Sequence, residues 1–143
     1  MPAPRVVLFN EPELLIYMVP KHQLMVVQAN GVVPSATYRQ GLQAATDAAI
    51  EGRLKYWLIN NRAGGIISPD DQNWANEVIA PQLAYKTAIA KMAIIEPEDV
   101  LSHLILEGMM DEGRNIFPFQ MQFFEKIEDA YVWFGDSDLS LGL

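Results

Sequence analysis

The chain has no cysteine. This excludes disulfides, thiolate metal sites and cysteine nucleophiles, and it agrees with a reducing compartment. Positive charge is also short: 10 Lys and Arg stand against 18 Asp and Glu, a formal net charge of −8. Nucleic acids are held mainly by Lys and Arg, so no nucleic-acid partner is expected. An anionic membrane surface is disfavoured for the same reason. Long hydrophobic runs are missing, and none approaches the roughly 20 apolar residues that cross a bilayer. The opening Met1-Pro2-Ala3-Pro4-Arg5 meets Glu11 and Glu13 too soon to form a secretory signal. The expectation is a cytoplasmic protein without membrane insertion. Histidine is scarce as well. His22 falls in an expected hairpin turn and His103 on an expected helix, and neither is read with a carboxylate or second histidine at ligand spacing. No metal and no cofactor is therefore expected. Neither a Walker pattern nor Gly-x-Ser-x-Gly occurs, so no catalytic residue is assigned and no enzyme is expected.

Half of the 143 residues are apolar, which suffices for one domain with a real core. The reading is a single domain over 1–135 and a short acidic tail over 136–143. Val6-Val7-Leu8-Phe9, Leu14 to Val19 and Leu24 to Ala29 are strand-like runs joined by short turns, and predict an antiparallel meander. A helix follows, with Ser35 as its N-cap, Tyr38, Leu42, Ala45 and Ala49 on one face, and a stop at Gly52. Tyr56-Trp57-Leu58-Ile59 and Met92-Ala93-Ile94-Ile95 are continuous apolar runs, suited to strands buried on both faces. Asn60 to Gly65 reads as the loop leaving the first of them.

Between these runs, Ser68-Pro69-Asp70-Asp71 opens a helix: Ser68 caps, Pro69 fits the first turn, and the carboxylates suit the positive dipole end. That helix should carry Trp74 and Val78 inward and be kinked or ended by Pro81. Pro97-Glu98-Asp99 opens another, with Val100, Leu101, Leu104 and Ile105 on its inner face and Gly113 at its end. The alternation of Phe119, Met121 and Phe123 with Gln120 and Gln122 marks a last strand. Ile127, Ala130, Tyr131 and Phe134 mark a last helix. The fold class is thus α/β: a mixed sheet in the order βββαβαβαβα, its meander followed by parallel strand-helix units.

This order resembles the STAS fold, named for sulfate transporters and anti-sigma-factor antagonists, and more narrowly small bacterial STAS-like proteins. The residues that carry the likeness are Trp57-Leu58-Ile59-Asn60-Asn61-Arg62, Ser68-Pro69-Asp70-Asp71-Gln72-Asn73-Trp74 and Ala93-Ile94-Ile95-Glu96-Pro97-Glu98-Asp99. The resemblance implies a non-catalytic regulatory or protein-interaction module with a protein partner or self-association. In anti-sigma antagonists a serine or threonine at the start of the helix after the central strand is phosphorylated. The nearest equivalent is Ser68, set in Ile67-Ser68-Pro69-Asp70, where the family's glycine is missing.

Ser68 is accordingly a candidate phospho-acceptor or simple helix N-cap. Asn60, Asn61, Arg62, Gly64, Gly65 and Glu96 are the candidate ligand rim, because ligands of open α/β sheets bind beside strand C-termini. Arg62 offers a bidentate contact to a small anion, the glycines let backbone N–H groups approach it, and Glu96 could pair with Arg62. A second function is kept open. The aromatic and Met-rich stretch of Met109, Met110, Phe117, Phe119, Phe123 and Phe124 could line a pocket for an apolar small molecule or lipid.

Overall fold

The computed structural model describes residues 3–135, so the acidic tail 136–143 lies outside the described residues. Six strands form one mixed sheet: β1 (Val6–Glu11), β2 (Leu14–Val19), β3 (Leu24–Gly31), β4 (Tyr56–Gly64), β5 (Lys91–Ile95) and β6 (Gln120–Phe124). They lie side by side in chain order. β1, β2 and β3 pair antiparallel, and β3, β4, β5 and β6 pair parallel.

Sequential parallel strands advance the sheet in one direction. Right-handed crossovers then place every connecting helix on the same face. That face carries α1 (Ser35–Gly52), α2 (Pro69–Trp74), α3 (Ala80–Lys86) and α4 (Val100–Arg114). Leu42, Ala45, Leu83, Leu106 and Met110 of these helices pack there on Ile16, Met25, Trp57, Met92 and Ile94 of the sheet. α5 (Ile127–Phe134) closes the opposite face, where Ala130, Tyr131 and Phe134 meet Val26, Leu58, Ala93 and Ile95. The two-residue side-chain period of strands explains the division, since alternate residues of β4 and β5 serve opposite cores.

Several local expectations change in the fold. Gly65 follows a strand rather than a loop, because β4 runs nine residues through Gly64. Its extension pairs with the end of β3, Asn30 against Ala63 and Gly31 against Gly64, after an irregularity in register. A Cβ at Gly65 would lie 2.8 Å from Val32 Cγ2 and 2.9 Å from Val32 N, so only glycine lets the two chain segments touch. Ser35 is not the N-cap of α1. Pro34 holds that position, and the Ser35 hydroxyl donates instead to Asp71 at 2.7 Å. His22, expected in a polar turn, is buried beneath the 3-10 turn Pro20–His22. α4 continues past Gly113 to Arg114.

Pro81 neither ends nor sharply interrupts its helix. The π-helical turn Ala75–Ile79 precedes it, with the Ala80 N–H donating to Ala75 O. The extra residue in this turn shifts the inward positions by one, so Ala75 and Ile79 are buried while Val78 faces out. α4 is also rotated from its expected setting. Val100, Leu101 and Leu104 are 73 %, 54 % and 61 % exposed, whereas Ser102, Leu106, Met109 and Met110 are buried. Asp99 caps the helix by accepting from both the N–H and hydroxyl of Ser102 at 2.9 Å, which turns Ser102 inward.

Candidate functional site

Asn60, Glu96 and Phe124 come together at one rim. Asn60 registers with Ile95 and Ile95 with Phe124, and the Glu96 N–H donates to Phe124 O at 3.0 Å. The rest of the expected rim divides between the two faces of the sheet. Asn60 and Arg62 line an open groove of mixed lining with Asn10, Gln28, Asn30 and Leu15, while Asn61 and Gly65 line an apolar cavity on the helix-bearing face. Alternation along β4 produces this split.

Arg62 is already engaged at the rim. Its guanidinium bonds Glu98 at 2.9 Å and donates to Glu125 O at 3.2 Å. The expected Arg62–Glu96 pair gives way to this one because Glu96 turns toward α4, where it meets His103 Nδ1 at 3.4 Å. The Gly65 amide is committed too: its N–H donates to Gly31 O at 2.9 Å. The Glu98 carboxylate already neutralises the Arg62 guanidinium, which weighs against a small anion there.

The cavity has a volume of about 90 Å³ and lies between the sheet and helices α1, α2, α3 and α4. Leu14, Val27 and Ile59 form its floor. Leu42, Ile79, Leu106, Met110 and Phe117 form its walls. The exposed Gly31 and Ile66, with Gly65, stand at its mouth. Of the apolar stretch singled out in the sequence, Met109, Met110 and Phe117 line it, whereas Phe119 and Phe123 pack elsewhere on the same core and Phe124 on the other. Ala75, Asn76 and Ile79 bring the π-helical turn into its wall. Such turns recur at functional sites because they re-aim side chains.

Polar side chains clip the helices together around this cavity. The Asn76 amide donates to Met109 O and Glu112 Oε2, each at 3.2 Å, joining the π-helical turn to α4. Gln43 and Gln82 join α1 to α3. Asp71, only 4 % exposed, accepts from Ser35 Oγ at 2.7 Å and Arg39 Nε at 3.0 Å, joining α2 to α1. Ser68 caps α2, its Oγ accepting from the Asp71 N–H at 3.2 Å. Tyr38, which lines the cavity, sits edge-on to Trp74 with ring centroids 6.3 Å apart. Burial, and then the Asp71 charge, push its phenol above the ordinary range, so it stays a proton donor.

Burial alone would raise Asp71, but hydrogen bonds from Ser35 and Arg39 and the Arg39 charge outweigh it and hold the carboxyl below its usual value. A depressed folded value contributes stability that is full above the ordinary aspartate range near 4. That contribution is lost as pH falls through the folded value. Asp71→Asn is expected to cost about 2–3 kcal/mol near neutrality, with the gap to the native protein closing below about pH 4. Thermal melts of both proteins across this range check the sign, and a gap independent of pH would show that the charge contributes nothing.

One constellation was missed in the sequence. His103 Nε2 lies 2.9 Å from Glu107 Oε1, one helical turn away, and Glu96 completes a group whose ligand atoms all lie within 4.8 Å of one another. His103 therefore does have a carboxylate at ligand spacing. The four-residue interval to Glu107 was the legible signal. Glu96 could be added only once the loop from β5 to α4 was folded.

No family model matches the chain, and neither a curated protein nor a solved structure matches it.

Proposed function

We propose that this protein is a non-catalytic binding module on a STAS-like frame, and that its ligand is a small apolar molecule, or the apolar end of a larger one. The meander followed by parallel strand-helix units supports the frame. The observation that carries the ligand reading is the cavity beneath the π-helical turn, lined mainly by aliphatic, methionine and phenylalanine side chains. Polar lining groups are few: besides Asp71, which is paired with Arg39, Tyr38, Asn61 and Asn76 can orient a ligand that carries a single polar end. At about 90 Å³ the space suits a compact group. An engineered apolar cavity of roughly 150 Å³ takes up benzene. The pairing of Arg62 with Glu98 and with Glu125 O makes the rim a weaker ligand site than the cavity.

The test is a thermal melt with benzene, toluene and a series of short n-alkanols. Binding to the folded state alone raises Tm, by about 2.7 kcal/mol of stability at a ligand concentration 100 times Kd. A rise that grows with apolar size and stops at a defined length supports the reading. A flat response across the whole series removes it.

A further inference from the structure

We propose that Glu96, His103 and Glu107 form a site for one divalent transition-metal ion of the zinc class, with a coordination position left open to solvent. It lies where β5 hands over to α4 and is independent of the cavity reading. The α-helical repeat supplies two ligands, since residues four apart share one face. The end of β5 supplies the third. One ion takes only one ring nitrogen, here Nδ1, which lies 3.4 Å from Glu96 Oε2; Glu107, which bonds Nε2 through Oε1 at 2.9 Å, has to leave that nitrogen to reach the ion. A zinc ion bonded at about 2.0–2.2 Å to nitrogen and oxygen donors keeps neighbouring donors about 3.3–3.5 Å apart in a tetrahedron. The His103–Glu96 separation already has that value. Glu107, with its side chain 36 % exposed, exchanges its contact with Nε2 for the ion.

The scaffold is held before any ion arrives. The Glu96 N–H is bonded to Phe124 O, which ties the ligand's backbone to β6. Asp99 caps α4 through Ser102, and the His103 N–H donates to Asp99 O at 2.9 Å, which fixes the turn that carries the histidine. Held ligands of this kind lower the cost of organising a site.

Charge points the same way. Glu96, largely buried, faces the carboxylates of Glu107 and Glu125, with His103 the favourable neighbour. The nearby Arg62 is paired with Glu98. A divalent cation bound by two carboxylates and a neutral imidazole makes the group electrically neutral. The imidazole sets the metal class: calcium and magnesium prefer all-oxygen shells, whereas zinc, manganese, iron and cobalt accept nitrogen with carboxylate. Three protein ligands leave the fourth position for water or an exogenous group.

The test uses tag-free protein stripped with chelator and dialysed, then titrated calorimetrically with zinc chloride and, separately, magnesium chloride. Bound metal is counted after gel filtration. The expected result is one zinc per chain, a higher Tm with zinc, and no response to magnesium. His103→Gln and Glu107→Gln, both at partly exposed positions and checked for folding by circular dichroism, are each expected to weaken zinc at least about tenfold. Failure of the native protein to retain zinc overturns the proposal. So does zinc retained with unchanged affinity in both variants, because the ion would then sit elsewhere.

Discussion

Trp57→Ala is expected to destabilise the protein by about 3–5 kcal/mol, a large part of the roughly 5–15 kcal/mol that a domain has in all. Trp57 is 1 % exposed in the centre of β4, registered against Met25 on one side and Met92 on the other. Its indole fills the core between the sheet and the helices on that face, alongside Ile94 and Leu54. Close-packed interiors cannot collapse fully around a hole of that size, so transfer and cavity costs add. Trp57→Phe should behave quite differently. The indole N–H is buried without a hydrogen-bond partner among the described residues, and an unpaired buried donor costs about 1–3 kcal/mol. Phenylalanine removes that donor while losing some packing. The two effects oppose, and the variant is expected within about 1.5 kcal/mol of the native protein. Urea unfolding followed by far-ultraviolet circular dichroism measures both. A phenylalanine variant as damaged as the alanine one would mean that the N–H has a partner, most simply a buried water.

Ala75→Leu is expected to separate binding from stability. Ala75 lies in the π-helical turn, is buried, and lines the cavity. Leucine adds three carbons to the wall. Filling empty apolar space stabilises at about 0.8 kcal/mol per buried methylene, less whatever strain the fit imposes. Cavity-filling substitutions commonly gain about 0.5–2 kcal/mol. The variant should therefore melt at or above the native temperature, yet lose most of the rise that toluene gives, because the space that toluene needs is occupied. If toluene still raised its Tm by the native amount, the ligand would be binding somewhere other than this cavity. If the variant melted well below the native protein, the wall would be better packed than its cavity implies.

Much of the architecture was legible along the chain. The antiparallel meander, the doubly buried character of Trp57 to Leu58 and of Met92 to Ile95, and the cap at Ser68 all arise from local rules. A continuous apolar run marks a strand covered on both sides, and a serine before a proline and two carboxylates marks a helix start. The inward face of α5 was readable too, because Ala130, Tyr131 and Phe134 recur at helical spacing. The inner faces of the other helices were less so. Val78 and Ile79 are equally apolar, and a π-helical turn chose between them. The start of α4 offers Val100, Leu101 and Leu104 as an apolar stripe, yet the fold buries Leu106, Met109 and Met110 instead.

The candidate sites show the same boundary. Asn60 and Asn61 are chain neighbours, but the pleat sends one into an open groove and the other into an apolar cavity. The contacts that build the cavity's frame join residues 36 and 33 positions apart, Ser35 to Asp71 and Asn76 to Met109. Periodicity, capping and turn chemistry act over a few residues, so strand, helix and their order are written in the chain one segment at a time. Which face turns inward, and which distant side chains meet, depends on how all the segments pack at once. For that reason Glu96 joins His103 and Glu107 only when the connection from β5 into α4 is folded.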